Sequence, residues 1–213
     1  MLLKILFYVI FTYMQNICLI IGAGAGIGGN VAKVFAKDGY HVYLTRRSDE
    51  SGLKKLIDTI NASGGKASGK LMNAIKDNTI EDLIHEVEKD LGPISVVVYN
   101  LGAQIGNKKL EDLTLKQFDL GLKMGTVGIF RLSKTLFPYM VKRGGGTLIA
   151  TSSTASVRGN RGQHSHAAAM GARRMLCQTL NDEFSIKGIH IVHAIIDGAV
   201  DAPDTLGKML GPE

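Results

Sequence analysis

Apolar runs alternate with amphipathic periods along almost the whole chain. Runs rich in aliphatic and β-branched residues at 17–21, 41–45, 94–99, 147–151 and 189–196 predict strands buried on both faces, and a weaker run at 67–72 predicts one more. Helical periods lie between them at 30–38, 53–61, 80–91 and 114–122, followed by two longer ones at 124–142 and 167–187. Glycine closes the early periods: Gly39 after the first, Gly64 and Gly65 after the second, Gly92 with Pro93 after the third. Thr114 stands three residues ahead of Gln117, which is capping-box spacing. Strand and helix in alternation predict an α/β fold, a parallel doubly wound sheet with helices on both faces and right-handed crossovers, three layers in all.

The chain has 213 residues, 45% of them hydrophobic, enough for one full core that buries about 70% of the surface of the unfolded chain. Its formal charge of +6 comes from scattered Lys and Arg rather than a run, which argues against a nucleic-acid partner. Two cysteines, Cys18 in an apolar run and Cys177 in a helical one, fit a reducing, cytoplasmic setting better than a disulfide scaffold. Residues 1–14, MLLKILFYVIFTYM, form an apolar extension ahead of a single domain at 15–213. Three readings of it stay open: a leader before a natural start at Met14, a membrane or interfacial anchor, or one extra element.

The first turn points to the ligand. Ile21 ends a strand and is followed by Gly22, Ala23, Gly24, Ala25, Gly26, Ile27 and Gly28 before a helix begins. Both GxGxxG (Gly24, Gly26, Gly29) and GxxxGxG (Gly22, Gly26, Gly28) fit, and the second starts directly after the strand. Glycine lets backbone approach a pyrophosphate, and the helix N-terminus supplies amide donors and partial positive charge, as in a Rossmann-type dinucleotide site. A tight structural turn is the competing reading. At the close of the second strand, where an NAD site carries an acid, stand Thr45, Arg46 and Arg47, with no acid before Asp49. Two guanidiniums can pair with a 2′-phosphate, which favours NADP(H). If they are a solvated strand end, NAD(H) is equally open.

With these residues placed, the chain from Asn16 onward resembles the short-chain dehydrogenase/reductase family. Gly22 to Gly28 looks like TGxxxGIG with Ile21 for Thr; Asn73 and Ala74 fall where the family has Asp and an apolar residue against adenine. Asn100 and Gly102, in Tyr99-Asn100-Leu101-Gly102, stand for part of the NNAG motif, and Ser152 and Ser153 for the paired serines. The resemblance implies a catalytic Ser, Tyr, Lys and Asn. Ser153 is retained, but the Tyr position is His166, the Lys position Met170 and the Asn position Gly125. After Ile196 the chain runs DGAVDAPDTLGKMLGPE where the family continues through a lid helix and a last strand. The resemblance thus implies a sheet without that lid and strand, in a natural short form or a truncated chain.

An imidazole can exchange a proton near neutrality, whereas the Met170 thioether carries no charge to hold ribose hydroxyls. His166 is thus read as a residual proton donor or as a structural, ligand-contacting side chain. Arg173 and Arg174, one turn on, could supply the missing charge but are read first as solvated or dimer-facing, as Lys108, Lys109, Lys142 and Arg143 are read as solvated. Met124, Met140, Met170 and Met175 are expected in the core. His164 and His166 make an HxH pair without an evident third ligand, so no metal is expected. The expected function is an NADP(H)-binding oxidoreductase homologue with impaired catalysis. One alternative is an active carbonyl or alcohol oxidoreductase using Ser153 and His166 on a small-molecule substrate. The other is a non-catalytic subunit or cofactor sensor whose long helices pair with a second copy or a related chain.

Overall fold

The computed structural model describes residues 16–102, 106–198 and 200. The expectations attached to residues 1–14 and to the tail beyond 200 lie outside the described residues. A parallel six-stranded sheet, in the order β3-β2-β1-β4-β5-β6, is built from β1 (Ile17–Ile21), β2 (His41–Arg46), β3 (Lys66–Leu71), β4 (Ile94–Tyr99), β5 (Gly146–Ser153) and β6 (Ile189–Ile196). The helices are α1 (Ile27–Lys37), α2 (Glu50–Ala62), α3 (Thr79–Asp90), α4 (Leu115–Leu122), α5 (Gly128–Lys142) and α6 (His164–Phe184).

Alternation along β1 explains the three layers. Ile17, Leu19 and Ile21 pack with Ile80, Leu83 and Val87 of α3, Leu132 and Phe137 of α5 and Cys177 of α6. Cys18 and Ile20 face the other way, against Ala32 and Ala36 of α1 and Leu53, Leu56 and Ile60 of α2. Every residue of β1 is buried, so its pattern reads as a continuous apolar run. β3 has the sequence KASGKL and only partial burial, because it lies at an edge with one strand neighbour; this is why its signal was weak.

The sheet order puts the ends of β1 and β4 side by side at the point where the chain reverses direction across the sheet, the crevice that such folds use for ligands. The capping box at Thr114 and Gln117 is present in both directions. The periods predicted as separate helices at 114–122 and 124–142 are joined by a π turn, Lys123–Val127, with no loop between α4 and α5. Such a turn interrupts the i→i+4 ladder and is often found at functional sites. Among the described residues, no helix is long and apolar enough to cross a membrane.

Candidate functional site

The glycine turn is shaped by close backbone approach. Gly22 has φ +95°, and a Cβ there would lie 2.8 Å from the Asn100 carbonyl oxygen. A Cβ on Gly28 would collide with the Gly22 carbonyl oxygen and stand 2.9 Å from Asn100 Nδ2. These two positions need glycine, which supports the GxxxGxG register; Gly29 is also crowded, by the Gly24 carbonyl. Gly24 differs, since a Cβ there would meet nothing within 4 Å. The amides of Gly22 and Ala23 donate to Thr45 O at 3.2 and 2.9 Å. Asn100 ties the turn to its neighbours: Nδ2 donates to Gly22 O at 2.9 Å, and Oδ1 accepts from Thr151 Oγ1 at 2.8 Å. α1 then begins at Ile27 with no acid in its first turn, leaving its N-terminal amides suited to an anion.

A cleft of about 780 Å³ opens over this turn. It is lined by Gly22, Gly24, Gly26, Ile27 and Gly28, by Arg46 and Arg47, by Asn73 and Ala74, by Asn100 and Gly102, and by Ser153 and His166. All the binding and catalytic candidates from the sequence thus face one space. The structure adds Ser48, Asp49, Met72, Thr151, Met124 and Arg173 to that lining.

At the β2 end, Arg46 Nε donates to Ala23 O at 2.7 Å, and Nη1 is paired with Asp49. Asp49 caps α2, accepting from the Gly52 amide at 2.9 Å. That amide first, and then Arg46, hold its carboxyl below the usual carboxylate range. Arg46 is therefore committed on two sides, while Arg47 is exposed. Asn73 braces its own turn, with its carbonyl accepting from Thr79 Oγ1 at 2.9 Å. The Ala74 carbonyl is held by Arg131, which also forms a two-pronged pair with Glu81 at 2.8 and 2.6 Å.

At the other end, Ser153 closes β5 and His166 lies in the first turn of α6; Ser153 Oγ and His166 Nε2 are in hydrogen-bond contact at 3.1 Å. The start of α6 is anchored by Ser165 Oγ, which reaches Gln117 O and Phe118 O of α4 at 3.3 and 3.2 Å. Thr126 Oγ1 donates to Ala169 O at 2.8 Å from the π turn. Met170 is 2% exposed and its sulfur accepts from Ser152 Oγ at 3.7 Å.

Arg173 departs most from expectation. It is 1% exposed, neither solvated nor dimer-facing. Nε donates to Gly125 O at 2.6 Å, Nη2 to Leu101 O at 2.7 Å and Nη1 to Thr151 O. Burial lowers its pKa to about 10, which leaves it charged at neutral pH. Arg143 is likewise not a solvated cation, since it grips the Glu88 carboxylate at 2.8 and 2.9 Å. Met175 is 54% exposed rather than in the core. Among the described residues, no three His, Cys, Asp or Glu side chains gather in a group that could hold a metal ion.

Residues 16–208 match the family model of short chain dehydrogenases. The chain belongs to the short-chain dehydrogenase family. A 3-oxoacyl-acyl-carrier-protein reductase of Thermotoga maritima is 28% identical over 194 residues, 89% of this chain and 76% of that protein. The 7α-hydroxysteroid dehydrogenase of Escherichia coli is 28% identical over 195 residues, covering 92% and 74%. Among solved structures, a short-chain dehydrogenase from Rhodopseudomonas palustris superposes with a TM-score of 0.81 at 30% identity, covering 86% of this chain and 85% of that one. A 7α-hydroxysteroid dehydrogenase complexed with NADH and 7-oxoglycochenodeoxycholic acid gives 0.78 at 26% identity, covering 84% and 70%. In this member of the short-chain dehydrogenase family, the positions that resemble the family's catalytic Ser and Tyr are in contact as Ser153 and His166. The position that resembles its Lys is a buried thioether.

Proposed function

We propose that this protein binds a nicotinamide dinucleotide along the cleft, NADP(H) in preference to NAD(H), and that its carbonyl–alcohol oxidoreduction is impaired. The cradle fits such a group: backbone that tolerates no Cβ at Gly22 and Gly28, and an acid-free helix N-terminus beside it. The NADH complex of the 7α-hydroxysteroid dehydrogenase relative supports the class of cofactor. Exposed Arg47 is available for a 2′-phosphate, while Arg46 is partly engaged by Asp49. When bound, the cofactor supplies or accepts a hydride.

The impairment rests on Met170. Its sulfur is buried against Ser152, so this position offers no ammonium to hold ribose hydroxyls or to tune a proton donor. The contact between Ser153 and His166 favours a second reading, an active oxidoreductase in which Ser153 orients a small carbonyl or alcohol substrate and the imidazole moves the proton. Half-exposed Phe130 on α5 and Met175 on α6 support the expectation of pairing with a second chain, testable by sizing chromatography.

Calorimetric titration with NADPH and NADH, followed by turnover on a carbonyl panel with both, tests the proposal. Tighter binding of NADPH with turnover far below the usual 1 to 10³ per second is the expected result. Binding of neither cofactor overturns the assignment; ordinary turnover that is lost in His166→Phe decides for the second reading.

A further inference from the structure

Arg173 heads the fully buried side chains of the described residues in size. Its guanidinium joins three segments far apart in sequence: the loop after β4 through Leu101 O, the end of β5 through Thr151 O, and the π turn through Gly125 O. All three segments contribute to the cleft wall, through Leu101, Thr151 and Met124, and Arg173 itself reaches that wall. Among the described residues no carboxylate forms an ion pair with it. Carbonyl dipoles and the Tyr99 ring, 5.3 Å from Cζ to the ring centroid, hold the charge instead. A buried cation without a counter-ion is costly, and an apolar side chain of similar volume would serve packing better. Its presence in this setting therefore points to a task at the cleft.

We propose that Arg173 is a positioning residue for the reactive end of the cleft: it fastens the 101, 125 and 151 carbonyls into one wall and supplies there the positive charge that Met170 lacks. The inference rests on the reading of the cleft as a nicotinamide dinucleotide site. A guanidinium is suited to this because its planar fork directs several N–H groups at once, whereas a lysine ammonium in the same place could not match all three acceptors. The residue acts through the backbone that flanks Ser153 and is not itself assigned contact with substrate.

The test compares Arg173→Met, Arg173→Lys and, as a destabilised control remote from the cleft, Phe137→Leu. Amide hydrogen exchange is followed without ligand, and NADPH affinity by fluorescence titration of the folded protein. In Arg173→Met, segments 100–102, 124–127 and 151–153 should exchange at least about tenfold faster together, and NADPH affinity should fall about tenfold. Arg173→Lys should show a smaller change in both, and Phe137→Leu neither. Unchanged exchange in the three segments, or loosening no different from that in Phe137→Leu, overturns the inference, as does wild-type NADPH affinity in folded Arg173→Met. Should Arg173→Met not fold, Arg173→Lys carries the same readouts, and wild-type values in it overturn the inference. A wild-type protein that binds no dinucleotide refutes the proposed function, while the exchange experiment still decides the fastening role.

Discussion

Replacing Gly24 by glutamate separates a binding cradle from a merely structural turn. A Cβ at this position meets no heavy atom within 4 Å, and the residue lines the cleft. The fold should therefore accept the side chain. Losing glycine's freedom in the unfolded chain adds about 0.4–1 kcal/mol, and a carboxylate close to the α1 N-terminus adds about 0.3–1 kcal/mol. The melting temperature should stay level or rise by a few degrees, at about 2–4 °C per kcal/mol for a domain of this size. Binding should respond oppositely. A carboxylate about 6–8 Å from a phosphate charge, at an effective dielectric of about 20, costs about 2–3 kcal/mol, or about 30- to 150-fold in affinity. Calorimetric titration with NADPH and NADH measures this, with uncharged Gly24→Gln as the control that should retain most affinity. Normal melting with undiminished affinity for both cofactors would refute the cradle. A fall in melting temperature of more than about 5 °C would refute the inference of open space.

Arg47→Ala should weaken NADPH by about 1.5–3 kcal/mol and leave NADH unchanged, as one charge-assisted contact is lost; Arg46→Ala should weaken both, because Arg46 also braces the Ala23 carbonyl. Competitive titration of each variant with the two cofactors checks both outcomes. His41 and His193 both have pKa values lowered mainly by burial, with further lowering from the charge of Lys66 at His41 and of Arg173 and Arg174 at His193. Below the ordinary imidazole range near 6.5 the unfolded chain takes up protons that the fold resists, so denaturant midpoints should fall as pH drops through that range, and less steeply in His41→Gln.

The fold was legible where one physical constraint dominated a short stretch of chain. β1 and β4 are buried along nearly their whole length, so apolar runs reported them, and the glycine turn was legible because backbone contact leaves room for nothing else at Gly22 and Gly28. The starts of α1 and α6 were read three residues too late, at 30 and 167. α1 begins at Ile27 and α6 at His164 without a side-chain cap, so no Ser, Thr, Asp or Asn signalled them. Arg173 was illegible for a different reason. Following another helical residue and preceding Arg174, it has the look of a solvated cation, and the acceptors that make burial tolerable lie 22, 48 and 72 residues away in sequence. Arg143 was misread for the same cause, its partner Glu88 being 55 residues distant.

The departures from the family pattern meet in space, and this bears on whether the site has simply decayed. Tyr99 is fully buried, donates to Met124 O at 2.7 Å, and fits because Gly128 leaves no Cβ in its way. Its ring faces the Arg173 guanidinium, which in turn takes the Gly125 carbonyl. Met170 lies three residues before Arg173, on the same helix face, and keeps that neighbourhood free of a second charge. Tyr99 and Gly125 thus share one partner in Arg173. It follows that restoring the family residues while Arg173 is kept should fail. Met170→Lys would bring an ammonium close to a guanidinium that has no carboxylate to balance it, in a buried setting where like charges are destabilising. His166→Tyr with Met170→Lys should therefore melt lower than wild type without gaining ordinary turnover, and adding Arg173→Leu should recover part of the stability. Melting curves and a carbonyl panel with NADPH decide this; full turnover in the double variant would show that Arg173 leaves room for a second cation and that the substitutions are independent.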